Sequence, residues 1–192
     1  MNNSIHHSSE FITSVYSIDG FPKEKLPEIV FSGKSNVGKS SLLNSLLNKK
    51  IAKVSITPGR TQSINYFKID NSFYFVDLPG YGYSKVPQEL KKKWRSLIDN
   101  YLTKNSNIKL IIQLIDFRHL PSTEDMEMIE WLRHFFKNFI IVFTKTDKIG
   151  ITKRPTQLKL LLKKINFDIS DTLMISSTEK KGLEELWKKI NE

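Results

Sequence analysis

Ile29-Val30-Phe31-Ser32-Gly33-Lys34-Ser35-Asn36-Val37-Gly38-Lys39-Ser40-Ser41-Leu42-Leu43 decides the fold. Ile29-Val30-Phe31 reads as a buried strand, and the apolar run to Leu47 reads as a helix. Between them stand two glycines five apart, followed by Lys39-Ser40, the spacing of a phosphate-cradling loop. Gly33 and Gly38 let the backbone wrap closely enough for its N–H groups to face phosphate oxygens. The helix N-terminus adds the positive end of its dipole. Lys39 can reach the outer phosphates, and the Ser40 hydroxyl can ligate Mg²⁺. All nine residues from Gly33 to Ser41, with Lys34, Ser35, Asn36 and Val37, are therefore candidate nucleotide contacts.

Outward from this loop, apolar runs alternate with helix-period segments. Strands are expected at Glu28–Ser32, Ser63–Asp70, Ser72–Val76, Lys109–Ile115, Phe139–Phe143 and Thr172–Ile175. Helices are expected at Lys39–Leu47, Pro87–Lys104, Thr123–Lys137, Arg154–Asn166 and Leu183–Asn191. Such alternation predicts a three-layer α/β sandwich with helices on both faces. Its sheet should have about six strands, mostly parallel. The tight Asn71-Ser72 link makes one strand antiparallel. Phe11–Ile18 is a candidate extra edge strand, and residues 1–10 are expected to be a disordered tail before a single domain over 11–192.

The bulk composition limits the choices further. A chain of 192 residues can bury a full core. No apolar run is long enough for a membrane helix, and Met1–Glu10 lacks the apolar centre of a signal peptide. The absence of cysteine excludes disulfides and thiolate metal sites and fits a reducing compartment. Thirty Lys and Arg against twenty Asp and Glu give a net charge of +10, more than a nucleotide pocket needs. The surplus points to a polyanionic partner such as RNA, or to a lysine-rich solvated surface.

Four further stretches lie at expected strand ends, where ligands bind in such sheets. Asp77-Leu78-Pro79-Gly80 is a common turn in isolation, but here it follows a strand 37 residues after Ser40. Asp77 there can hold Mg²⁺ through water, and the Gly80 N–H can meet a terminal phosphate. Thr57-Pro58-Gly59-Arg60-Thr61-Gln62 offers Thr61 as a second Mg²⁺ ligand, with Thr57 as the alternative. Thr144-Lys145-Thr146-Asp147 supplies a carboxylate that can accept from the ring N–H and exocyclic amine of guanine, donors that adenine does not present together. The Lys145 stem can lie along the base. Ile175-Ser176-Ser177 ends the last strand, where backbone N–H groups can meet the guanine carbonyl.

With these five stretches in order, the chain resembles the translation-factor (TRAFAC) class of P-loop GTPases, and most closely the EngB (YihA/YsxC) family of bacterial ribosome-biogenesis GTP-binding proteins. Thr57-Pro58-Gly59-Arg60-Thr61-Gln62 and Pro79-Gly80-Tyr81-Gly82-Tyr83 carry the family likeness best. Asp116-Phe117-Arg118-His119 adds to it. The likeness runs over roughly residues 26 to 190. It implies a cytoplasmic, monomeric GTPase that binds GTP and GDP with Mg²⁺. It further implies action on the large ribosomal subunit or its precursor, through rRNA and ribosomal proteins, and links to cell division and septation. GTPases at large begin the base motif with Asn. Thr144 stands there in this chain, as in EngB-like sequences.

Lys39, Thr61 and Gly80 are the expected catalytic set. Tyr81 occupies the position where many GTPases place a water-orienting Gln, so slow intrinsic hydrolysis with partner stimulation is expected. Asn36 resembles the K⁺ ligand of some cation-activated GTPases, and is otherwise an ordinary loop residue. Arg60 is its rival for the same charge. A nucleotide-gated RNA-binding module is the second reading. A small-molecule kinase or ATPase is the third; it needs an acceptor site or lid for which the sequence offers no candidate.

Overall fold

The computed structural model describes residues 7–17, 20–52, 63–82, 88–136 and 138–192, with the side chains of 88–94 left aside. Seven strands form one sheet in the order β1-β3-β4-β2-β5-β6-β7. They are β1 (Ser9–Val15), β2 (Glu28–Gly33), β3 (Ile64–Ile69), β4 (Phe73–Asp77), β5 (Ile108–Asp116), β6 (Phe139–Thr144) and β7 (Thr172–Met174). The helices are α1 (Lys39–Leu46), α2 (Gln88–Lys104), α3 (Thr123–Phe135), α4 (Arg154–Ile165) and α5 (Leu183–Asn191). Strand β3 pairs antiparallel with both neighbours, so it alone runs against the rest. Asp70 and Asn71 take positive φ in its hairpin, and Ser72 N donates to Ile69 O at 2.9 Å.

Alternation along the strands divides the core. Ile29 and Phe31 point to the face covered by Leu42, Leu43 and Leu46 of α1 and Leu186 and Ile190 of α5. Val30 points the other way, toward Leu97, Tyr101 and Leu102 of α2 and Leu132 of α3. Leu161 and Ile165 of α4 complete that second layer against Ile141 and Phe143. Each layer buries one apolar stripe of its helices, the main favourable term in holding the sandwich together.

Several boundaries differ from expectation. β1 starts at Ser9 because Asp70, in the hairpin, accepts from Ser8 N at 2.7 Å and returns its own N–H to Ser8 O at 3.0 Å. Ser9 and Glu10, expected in a disordered tail, are therefore ladder residues, and the sheet has a seventh strand. β4, β5 and β6 each run one residue further than expected, because the parallel registers Phe31↔Asp77 and Asp116↔Thr144 continue the ladder. Helix α3 stops two residues early, with Phe136 extended, and Phe135 is left half exposed with its ring 4.8 Å from that of Trp131.

One buried acid sits within this frame. Glu28 Oε2 accepts from Tyr101 (2.5 Å), Asn105 (2.9 Å) and Tyr66 (3.3 Å). Burial pushes its carboxyl above the usual carboxylate range, and the three hydrogen bonds only partly oppose this. A carboxyl raised in the folded state contributes stability below its unfolded value, and that contribution is lost as pH rises through the folded value. Wild-type stability relative to Glu28→Gln should therefore fall between about pH 4.5 and pH 8. Urea unfolding at the two pH values measures it, and a constant difference would contradict the assignment.

Candidate nucleotide-binding site

The loop from Gly33 to Gly38 leaves β2 and enters α1. Asn36 takes φ 63° and Gly38 φ 112°. The second of these lies in backbone space that side chains rarely enter, which accounts for the glycine at the helix entry. Val37 N donates to Lys34 O at 3.1 Å and closes the turn. Lys39 is the first residue of α1, buried, and its ammonium donates to Asp77 Oδ1 at the end of β4. Two groups 38 residues apart in sequence thus meet as a buried ion pair.

Gly80 follows on. A Cβ there would lie 2.9 Å from Ser35 Cα and 3.0 Å from Ser35 N, so only glycine allows the segment to lie on the loop. Ser35 N donates to Tyr81 O at 2.9 Å, and Lys34 and Tyr81 pair as a parallel bridge. The Tyr81 phenol turns away from the loop. It donates to Asp125 Oδ1 at 2.7 Å and accepts from Gln113 Nε2 at 2.6 Å. Burial first, and then the neighbouring Asp125, push this phenol far above its ordinary value, so it remains a neutral donor. Asp125 Oδ2 meanwhile accepts from Ser122 N and Oγ at the capping box of α3. The segment Gly80-Tyr81-Gly82 is held at its centre from two sides.

The base motif braces the same loop. Thr144, the last residue of β6, is buried, and its Oγ1 donates to Val37 O at 2.6 Å. Lys145, at φ 58°, donates from Nζ to Asn36 O at 2.6 Å and to Asp116 Oδ2 at 2.8 Å. Burial disfavours the Asp116 charge, but the hydrogen bonds from Arg118 and Lys145 outweigh it and hold the carboxyl at about 2. Asp147 Oδ1 accepts from Ser176 Oγ at 2.9 Å, which joins the fourth and fifth stretches of the sequence pattern. Burial opposes ionisation of Asp147 too, yet the bonds from Ser176 and Lys148 keep it below the usual range. Ile175 O accepts from Thr146 N at 3.3 Å, and Ser177 O from Ser45 Oγ at 3.2 Å.

Gly33 to Ser41, Asp77 to Gly80, Thr144 to Asp147 and Ile175 to Ser177 therefore converge at one end of the sheet. Thr57, Gly59, Arg60, Thr61 and Gln62 lie outside the described residues. His119, in the family-like stretch after β5, is exposed. Sequence reasoning assigned no role to Gln113, gave Asp116 only a place in a family-like stretch, and gave Asp125 only a place in the first turn of α3. The capping-box spacing Ser122-x-x-Asp125 was the visible signal for the last, while Gln113 looks like any residue of an apolar strand.

Comparison with known proteins fits this geometry. Residues 28–145 match the family model described as 50S ribosome-binding GTPase. A protein of Clostridioides difficile strain 630 named "Probable GTP-binding protein EngB" is 42% identical over 185 residues, covering 95% of this chain and 91% of that one. A protein of the same name from Streptococcus pneumoniae strain JJA is 43% identical over 188 residues, covering 97% and 96%. This chain belongs to the EngB family of GTP-binding proteins. Among solved structures, "a probable GTP-binding protein engB" superposes with a TM-score of 0.71 at 26% identity, covering 85% of this chain and 96% of that one. Era, in complex with MgGDPNP and nucleotides 1506–1542 of 16S ribosomal RNA, superposes at 0.66 with 28% identity, covering 86% of this chain and 56% of Era. A P-loop GTPase domain that binds GTP and GDP follows from family membership.

Tyr81→Phe keeps the aromatic ring and deletes the two phenol hydrogen bonds. Amide exchange at Ser35, whose N–H is held by the Tyr81 carbonyl, should accelerate about ten-fold by NMR-detected deuterium exchange. An unchanged Ser35 rate would mean that the phenol does not fasten the loop.

Proposed function

We propose that the chain is a slow GTPase acting as an assembly factor on the large ribosomal subunit or its precursor, with hydrolysis stimulated by that particle. The family description as a 50S ribosome-binding GTPase carries this reading. The net charge of +10 supports it, since rRNA is a dense array of phosphates. The likeness to Era, solved with a segment of 16S rRNA, supports contact with rRNA, though not the choice of subunit. The same reading makes the protein a cytoplasmic monomer that contributes to normal cell division and septation. Among the described residues no helix is long and apolar enough to cross a membrane.

In this reading Lys39 and the N–H groups of the phosphate loop neutralise and position the phosphates, which is most of what phosphoryl transfer to water requires. The Gly80 N–H meets the terminal phosphate. Asp147, held ionised and aimed by Ser176, takes the guanine N–H donors. The oxygen donors Ser40 and Asp77 fit a hard divalent ion. Mg²⁺, held by the Ser40 and Thr61 hydroxyls and by Asp77 through water, would neutralise charge between the outer phosphates. Asn36 would hold K⁺ beside them. Slow turnover follows from the Tyr81 phenol, which is engaged with Asp125 and Gln113 and unavailable to orient water.

Single-turnover hydrolysis with and without purified large subunits tests the central point. The rate should be low alone, rise at least ten-fold or so with subunits, and be higher in KCl than in NaCl at matched ionic strength. Fast turnover by the lone protein would contradict the mechanism. No stimulation by bound subunits would favour a nucleotide-gated rRNA-binding module instead. For the base site, Asp147→Asn should lose guanine preference and gain affinity for xanthine nucleotides in a competition assay. Unchanged base preference would show that Asp147 has another role.

A further inference from the structure

A cavity of about 430 Å³ opens between Pro79–Gly82, α2 and α3, away from the nucleotide motifs at Thr144–Asp147 and Ile175–Ser177. Its volume lies within the roughly 300–1,000 Å³ range of ligand pockets. Ile98 and Leu102 of α2 and Met128 and Trp131 of α3 supply its apolar walls. All four are buried or half-buried, and Trp131 packs at a tilt on Phe136, with ring centroids 5.7 Å apart. The charged lining is unlike the rest of the chain. Among the described residues, Asp99, Glu124 and Glu127 face the opening with the guanidinium of Arg95, in a protein whose net charge is +10. Asp99, Glu124 and Glu127 are all exposed. Glu124 makes a long contact of 3.5 Å to Lys34.

That combination selects one kind of occupant. Phosphates are repelled by three carboxyl groups, and an apolar interior leaves ribose hydroxyls unpaired. A peptide that places a large apolar side chain in the cavity and Lys or Arg on its rim satisfies both features. Proteins of an RNA-rich particle carry such basic segments, because they too must neutralise phosphate. The cavity is also wired to the phosphate loop. Tyr81 lines it, its carbonyl accepts from Ser35 N at 2.9 Å, and its phenol donates to Asp125 on α3 at 2.7 Å. An occupant that moves Tyr81 or α3 is one residue from the loop that grips phosphate.

We propose that this acidic-rimmed cavity docks a basic, apolar-anchored peptide segment of a ribosomal protein, and that docking is felt at the phosphate loop through Tyr81. The proposal rests on the large-subunit reading above. It assigns this face to protein contact and leaves rRNA to the basic remainder of the surface.

Charge reversal separates the possibilities. The double variant Asp99→Lys/Glu127→Lys, checked for folding by circular dichroism and thermal melting, is compared with wild type by co-sedimentation with purified large subunits at fixed salt. A basic peptide partner predicts binding weakened about ten-fold or more, because like charges then meet across the contact. An RNA partner predicts tighter binding, since four units of positive charge are added, and that result or an unchanged affinity would overturn the proposal. In a second arm, Glu127 is replaced by the photo-cross-linker p-benzoylphenylalanine. Cross-links to a Lys/Arg-rich segment of a ribosomal protein are expected. Cross-links to rRNA alone, or none from a variant that still sediments with the particle, would also overturn it. If wild type itself fails to sediment with large subunits, the large-subunit reading falls and takes this proposal with it. Wild-type binding with an unimpaired double variant removes this proposal alone.

Discussion

Two carbonyl oxygens of the phosphate loop are held from outside, and the rest of the site depends on that. Thr144 Oγ1 donates to Val37 O, and Lys145 Nζ donates to Asn36 O. A trans peptide puts C=O and N–H on opposite sides, so pinning the Val37 carbonyl toward Thr144 turns the Gly38 N–H the other way. The base motif is thus also the brace of the phosphate motif. Lys145 in turn is fixed by Asp116, whose carboxyl is pulled down to about 2 by Arg118 and Lys145 despite its burial. Thr144, shorter than the Asn of GTPases at large, spends its hydroxyl on this brace.

The sheet makes the convergence possible. β2 lies between β4 and β5, so the chain passes to one side of it for β3 and β4 and then crosses to the other for β5, β6 and β7. Such a switch point leaves a crevice at the carboxyl ends of the strands. Asp77, Asp116 and Thr144 are each the last residue of a strand, at adjacent registers with β2 or with one another. Their side chains are fixed by the ladder rather than by loop conformation. The segment from Gly80 is instead held by Tyr81, with its carbonyl on Ser35 and its phenol on Asp125 and Gln113. Removing those bonds leaves buried groups unpaired, which is a barrier to any movement of the segment. In the proposed mechanism, that arrangement would link slow intrinsic turnover to a partner able to engage α3.

Most of this architecture is legible in the sequence because its signals are local. Apolar runs mark β2, β4, β5 and β6, and Gly33, Asp77 and Asp116 close the first three. Leu183–Ile190 marks α5 by its stripe alone, and Leu183, Leu186 and Ile190 are indeed buried. What escapes depends on long-range partners. Ser9 and Glu10 become strand only because Asp70, some sixty residues on, ties Ser8 to the hairpin. The pairing of Asp147 with Ser176 is suggested by position and decided by tertiary contact. The role of Gln113 is invisible, since a polar residue within Leu110–Ile115 has no local reason to be there until Tyr81 arrives from the segment after β4. Phe135 reads as core by hydropathy and lies half exposed because α3 ends beside it.

The central claim is that one braced loop and one aimed carboxylate make a site for a guanosine nucleotide. Isothermal titration of the full chain with GDP, GTP and ATP in magnesium buffer tests it most directly. The account predicts a single saturable site for GDP and for GTP and no measurable heat with ATP. Equal binding of ATP, or no heat with any of the three by a folded protein, would contradict it.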